Sequence, residues 1–240
     1  MTVTTDLVGR GAGPQQQRPP SERGTTWARV TAVGGLLFFG SFIAFATLTS
    51  NTPAASDTRR EVFSYLAQHH DRLQLAAVVY ALAMPAALLF LSGLFATLRT
   101  AEGGRPRIAV AALAGGILAA AATVTGALVL GVLATRWIDL GPAGSRVFWT
   151  MFLLSVGATL AGQVLAIGAT GAVSLRTGLF PRWFTAASVV LALVSLAGAC
   201  TIGSAAAGVQ TVAGIAAVLD SVWILLASFY LWRKPAAASR

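Results

Sequence analysis

The sequence of 240 residues predicts an all-α, polytopic membrane bundle of six transmembrane helices with both termini cytoplasmic. Three observations predict it. Hydrophobic residues make up 56% of the chain and charged residues only 10%, whereas a soluble domain carries about 25% charged residues to hydrate its surface. Six apolar runs each reach the length of about 20 residues that a spanning helix needs. The basic residues between those runs fall unevenly on alternate sides, twelve on the side of both termini and five on the other. The positive-inside bias then places the termini in the cytoplasm.

Residues 1–26 are polar, contain Gln15, Gln16 and Gln17 in succession, and show no apolar periodicity. They read as a disordered cytoplasmic tail. The first span covers 27–49. Its Ala44-Phe45-Ala46 imitates a signal-peptidase site, but the long polar leader and the spanning length of the run argue against cleavage. Thr58-Arg59-Arg60-Glu61 then fits a capping box, in which the Thr and Glu side chains satisfy the first free amides of a helix. Val62, Phe63, Leu66 and Leu73 recur behind it at helical spacing. This predicts a short helix in the outer interface, leading into a second span at 73–98. Pro85 lies midway along that span and is expected to kink it by removing the bond to the Ala81 carbonyl.

The third span, 108–134, carries Gly115, Gly116 and Gly126, which admit the backbone of a neighbour. The fourth, 147–175, places Ser155, Thr159, Gln163, Ala166, Thr170 and Ser174 within about a 100° arc. Pro181 precedes the fifth span, 184–204, at a helix start where a missing N–H costs little. That span has a small-residue face of Ser188, Ala192, Ser195 and Ala199, suited to packing. The sixth span is 209–232, followed by a cytoplasmic tail at 233–240. Trp27, Trp137, Trp149, Trp183 and Trp232 lie at or near helix ends, where a headgroup belt holds such rings; Trp223 lies inside the last span.

The net charge of +9 is spread through tails and loops. Membrane topology explains it without a nucleic-acid partner, and the expected partner is the lipid bilayer. Cys200 is the single cysteine, so no intramolecular disulfide forms. Within an apolar run it is expected to pack as a small hydrophobe.

Four residues form the candidate intramembrane site: Asp220, Gln163, Thr159 and Thr170. Asp220 sits near the centre of the sixth span, where insertion costs about 2.5–3.5 kcal/mol. It should therefore face the bundle or a wet cavity, along a stripe of Ala213, Ala216, Ala217 and Ala227 that lets another helix approach. Its roles would be proton carrier, general acid or ligand contact, against a hydrogen-bonded structural acid. The fourth-span stripe suits a water-lined cavity. Against that, its hydroxyls can bond their own helix carbonyls, although the Gln163 amide hides less easily. Gln163 and Asp220 lie at similar depth, so direct pairing between them is an expectation to test. His69-His70-Asp71 is not read as a metal site: adjacent helical histidines diverge, and a transition-metal site commonly needs three or four ligands. No nucleotide, zinc-protease, serine-hydrolase or paired-Asp motif occurs, and no cofactor is expected.

The stretches Leu175-Arg-Thr-Gly-Leu-Phe-Pro181-Arg182-Trp183 and Phe90-Leu-Ser-Gly-Leu-Phe-Ala-Thr-Leu-Arg99, the latter followed by Ala101-Glu-Gly, carry a resemblance. The chain resembles uncharacterised six-helix membrane proteins of actinobacteria grouped under a domain of unknown function. That resemblance spans roughly Trp27–Lys234 and implies a six-helix membrane topology but no activity. The sequence leaves three functional classes open. The first is a non-enzymatic membrane protein that binds or moves a small apolar or amphipathic molecule. The second is an intramembrane enzyme using Asp220 as an acid on a lipidic or isoprenoid-like substrate. The third is a structural or regulatory subunit docking on a membrane-protein partner.

Overall fold

The computed structural model describes residues 22–54, 56–104, 106–200 and 207–233, so most of both expected tails and residues 201–206, which include the expected end of the fifth span, lie outside it. The described residues form five helices and no strand: α1 (Glu22–Leu48), α2 (Arg59–Glu102), α3 (Arg107–Thr177), α4 (Arg182–Cys200) and α5 (Ala207–Arg233). All five are long and apolar enough to cross a membrane. Their outer flanks are apolar too: Leu82 and Leu128 are both 68% exposed and Leu193 is 62% exposed, which suits lipid as the solvent.

The 71 residues of α3 would extend about 105 Å if straight. Instead the backbone leaves helical geometry at Arg136 and at Gly141, where φ is 60° and ψ −178°, a conformation natural only to glycine. The chain doubles back there. The arm before the bend lies antiparallel to the arm after it, with Gly115 against Gly162 and Ala166, and Gly126 against Ser155. These two arms contain the stretches expected as the third and fourth spans. As the sequence suggested, the glycines serve close packing.

The helices close into a ring. α1 runs along α2 with Gly34 against Ala86 and Phe90, and Gly93 against Thr31. The first arm of α3 follows α2, the second arm follows the first, and α4 lies against that second arm through Gly171 and Ser188. α5 joins α4 and closes on α1, where Gly35 meets Ser228.

Several expectations change in detail. The capping box is present: Thr58 N–H donates to Glu61 Oε2 (2.6 Å) and Glu61 N–H to Thr58 Oγ (3.3 Å). The helix it starts is not a separate interfacial piece, however. It runs unbroken through Pro85 as the 44-residue α2, because Val62, Leu66 and Leu73 are fully buried against Leu130, Leu133 and Trp149. Trp149 is thus a core residue rather than part of a headgroup belt, and its Nε1 donates to the Pro53 carbonyl (3.2 Å). Trp183 and Trp232 remain 54% and 55% exposed at helix ends. Cys200 is exposed rather than packed.

Pro106 offers no side-chain cap to α3. Glu102 supplies one, accepting the amides of Ile108 (3.0 Å) and Ala109 (2.9 Å), which hold its carboxyl below the usual carboxylate range. The core falls into two clusters along the bundle axis. One holds Leu66, Leu130, Leu133 and Phe152, the other Leu94, Leu98, Ile167 and Phe184.

Candidate functional site

Between the two apolar clusters lies a cavity of about 90 Å³. In three rods it falls between residues of one cluster and residues of the other, in reversed order in the first arm of α3. In α2 it occupies the stretch from Tyr80 to Leu94, in the first arm of α3 from Gly116 to Thr123, and in the second arm from Val156 to Ala166. Phe38 and Phe42 of α1 and the stretch from Ala217 to Ile224 of α5 complete the wall. Every lining residue is helical, and Leu88, 45% exposed, marks its rim on the apolar flank.

Asp220 lines this cavity while being only 4% exposed. The small residues of α5 explain its setting. Gly198 of α4 packs over Ala213 and Ala216, and this closeness lets Ser195 reach across to donate to Asp220 Oδ1 (2.9 Å). The second oxygen, Oδ2, is buried without a hydrogen-bond partner among the described residues. An unmet buried acceptor costs about 1–3 kcal/mol, so the site favours whatever brings a donor to it. Nearer one end of α4, Trp223 Nε1 donates to Ser188 Oγ (2.8 Å) and its ring stacks on Phe184, which fixes the indole in the cavity wall.

A second polar group forms where the α3 arms meet. Thr159 Oγ1 donates to the Ser155 carbonyl (3.0 Å), so in the contact between Thr123 and Thr159 (3.1 Å) the proton comes from Thr123. The Tyr80 hydroxyl lies beside both threonines. Gln163, half-buried, lines the same space, and no hydrogen bond joins it to Asp220 among the described residues.

Three of the four candidates, Asp220, Gln163 and Thr159, therefore meet in one cavity. Thr170 does not. It is fully buried, donates to the Ala166 carbonyl (2.8 Å), and lies outside the lining. The polar stripe is not one continuous surface either: Ser155 bonds the Phe152 carbonyl, and Ser174 pairs with Thr185 (2.6 Å) where α3 hands over to α4. Sequence reasoning missed Tyr80, Thr123 and the Phe38–Phe42 pair. A tyrosine inside an apolar span was the available signal, since its hydroxyl must find a partner there. Among the described residues no three metal-ligating side chains come together; His69 Nδ1 lies 3.0 Å from the Tyr65 carbonyl and His70 Nε2 3.4 Å from Asp71.

Fold and site together define an all-helical bundle, with helices long and apolar enough to cross a membrane, and a mainly apolar cavity that carries a few polar side chains between its two apolar clusters. No family model, curated protein or solved structure matches this chain.

Proposed function

We propose that the protein is a six-span integral protein of the cell membrane, both termini cytoplasmic, whose central cavity binds a small amphipathic molecule. The observation that carries this reading is the interruption of an apolar core by a cavity whose lining includes Asp220, Gln163, Thr123 and Thr159. A purely structural bundle has no need of that interruption, because a buried acid and an amide are expensive at this depth. The volume discriminates further. Pockets for drug-sized ligands run to about 300–1,000 Å³, so about 90 Å³ suits a molecule of few atoms better than an isoprenoid-like substrate.

The six-span count treats the two arms of α3 as separate crossings. Support for the orientation comes from what the arginines at each end do. At the end carrying the α3 bend, Arg72 donates to the Thr47 carbonyl and Ser50, Arg146 to the Ala54 carbonyl, and Arg136 pairs with Asp139. These are three of the five basic residues on that side, and the larger basic count stays with the opposite end and its tails. The same reading keeps the resemblance to six-helix actinobacterial proteins as its taxonomic expectation.

The test is thermal unfolding of the protein in non-ionic detergent with short amphiphiles of equal chain length: n-butylamine, 1-butanol and butyrate. At least one should raise the unfolding midpoint in the wild type, and Ala120→Leu, which fills the cavity, should abolish the response. No shift with any of them would contradict a binding role.

A further inference from the structure

We infer that the occupant of the cavity is a small organic ammonium ion, held between the free oxygen of Asp220 and aromatic ring faces. This deepens the reading of the cavity as a binding site and rests on it. Three independent observations converge.

The first is the carboxyl itself. Ser195 satisfies Oδ1 and fixes the group, while Oδ2 is buried and unpartnered among the described residues, and Asp220 is one of the residues bordering the cavity. The second is the aromatic lining. Phe38 and Phe42 from α1, Tyr80 and Phe90 from α2, and Trp223 from α5 all border the space. Ring faces attract a cation electrostatically, most strongly where water is excluded. The third is charge. Among the lining residues there is no Lys, Arg or His, and the only ionisable groups are Asp220 and Tyr80.

These features sort ligand chemistries. An anion would face the carboxyl with no compensating base. A neutral alcohol would satisfy Oδ2 but gain little from the rings. A primary ammonium carries N–H donors for Oδ2, and its charge uses the aromatic lining. Size restricts the choice further. A cavity of about 150 Å³ accepts benzene, so about 90 Å³ admits a short alkylamine rather than a lipid.

The experiment compares n-butylamine, 1-butanol and butyrate as stabilisers of the detergent-purified wild type. The ammonium should act at about 10-fold lower concentration than the alcohol, the difference expected for a charged hydrogen bond, and butyrate should not act. Asp220→Asn should bring amine and alcohol to within about 2-fold of each other. Phe42→Leu, which leaves the carboxyl in place, should weaken the amine about 3-fold and leave the alcohol unchanged; it serves if Asp220→Asn does not fold. Equal potency of amine and alcohol in the wild type would overturn the ammonium assignment while leaving the cavity as an amphiphile site. Absence of any response would overturn both.

Discussion

Replacing Gly162 with alanine puts a methyl group where the two arms of α3 touch. That carbon would lie 2.5 Å from the Ala119 amide nitrogen and 2.7 Å from the Gly115 carbonyl oxygen. Ordinary contact begins at 3.4 Å, so the arms must part by up to about 0.9 Å. The opposing atoms are backbone and cannot rotate away. A separation of that size also carries the Thr123–Thr159 contact, now 3.1 Å, beyond hydrogen-bonding distance. Overpacking of this kind costs about 1–3 kcal/mol, and the cavity wall loses its hydroxyl pair. The control is Gly40→Ala, where nothing lies within 4 Å; there the lost backbone freedom of glycine should yield about 0.5–1 kcal/mol of added stability. Reversible unfolding in mixed detergent micelles, followed by circular dichroism, reads both. If Gly162→Ala is as stable as the wild type while the control behaves as stated, the arms are not in contact and the doubled-back α3 is wrong.

Gly141→Ala should cost about 1–3 kcal/mol in the same assay, because φ of 60° with ψ of −178° strains any residue with a Cβ. Trp149→Phe keeps the buried ring but loses the bond to the Pro53 carbonyl; a loss of about 1 kcal/mol and faster proteolysis of the 49–58 loop are expected. Glu102 and Glu61 both have carboxyls held below the usual value of 4.5, chiefly by backbone amides, so each stabilises the fold fully above that value and loses its contribution as pH falls through the lowered range. Unfolding midpoints measured between about pH 6 and pH 3 should therefore decline less steeply in Glu102→Gln, and less steeply still in the Glu61→Gln, Glu102→Gln double variant.

The helices were legible because apolar runs of spanning length have no other stable use, and the Thr58–Glu61 capping box marks a helix start in any setting. What covers a helix was not legible. Val62, Leu66 and Leu73 announce an apolar face, but the sequence does not say that α3 buries it rather than the bilayer interface. The site shows the same division. Asp220 and Gln163 stood out because each is costly in an apolar run, Thr159 as one member of a polar stripe, and the three do share a cavity. The stripe on the fourth span broke up because successive turns of one helix face meet different neighbours: Gly126 opposite Ser155, and Thr185 opposite Ser174. Ser195 was visible as one member of a small-residue face. Its hydroxyl became a partner for Asp220 only once α4 and α5 were placed side by side.

The most direct test is accessibility along α3 in intact cells, using a Cys200→Ser background that removes the single native thiol. Asp139→Cys sits at the exposed bend and Thr177→Cys at the exposed far end of the second arm. A membrane-impermeant maleimide should label the thiol at position 139 from outside, and the thiol at position 177 only after permeabilisation. Labelling of both from outside would contradict the crossing of the second arm, and labelling of position 177 alone would contradict the orientation.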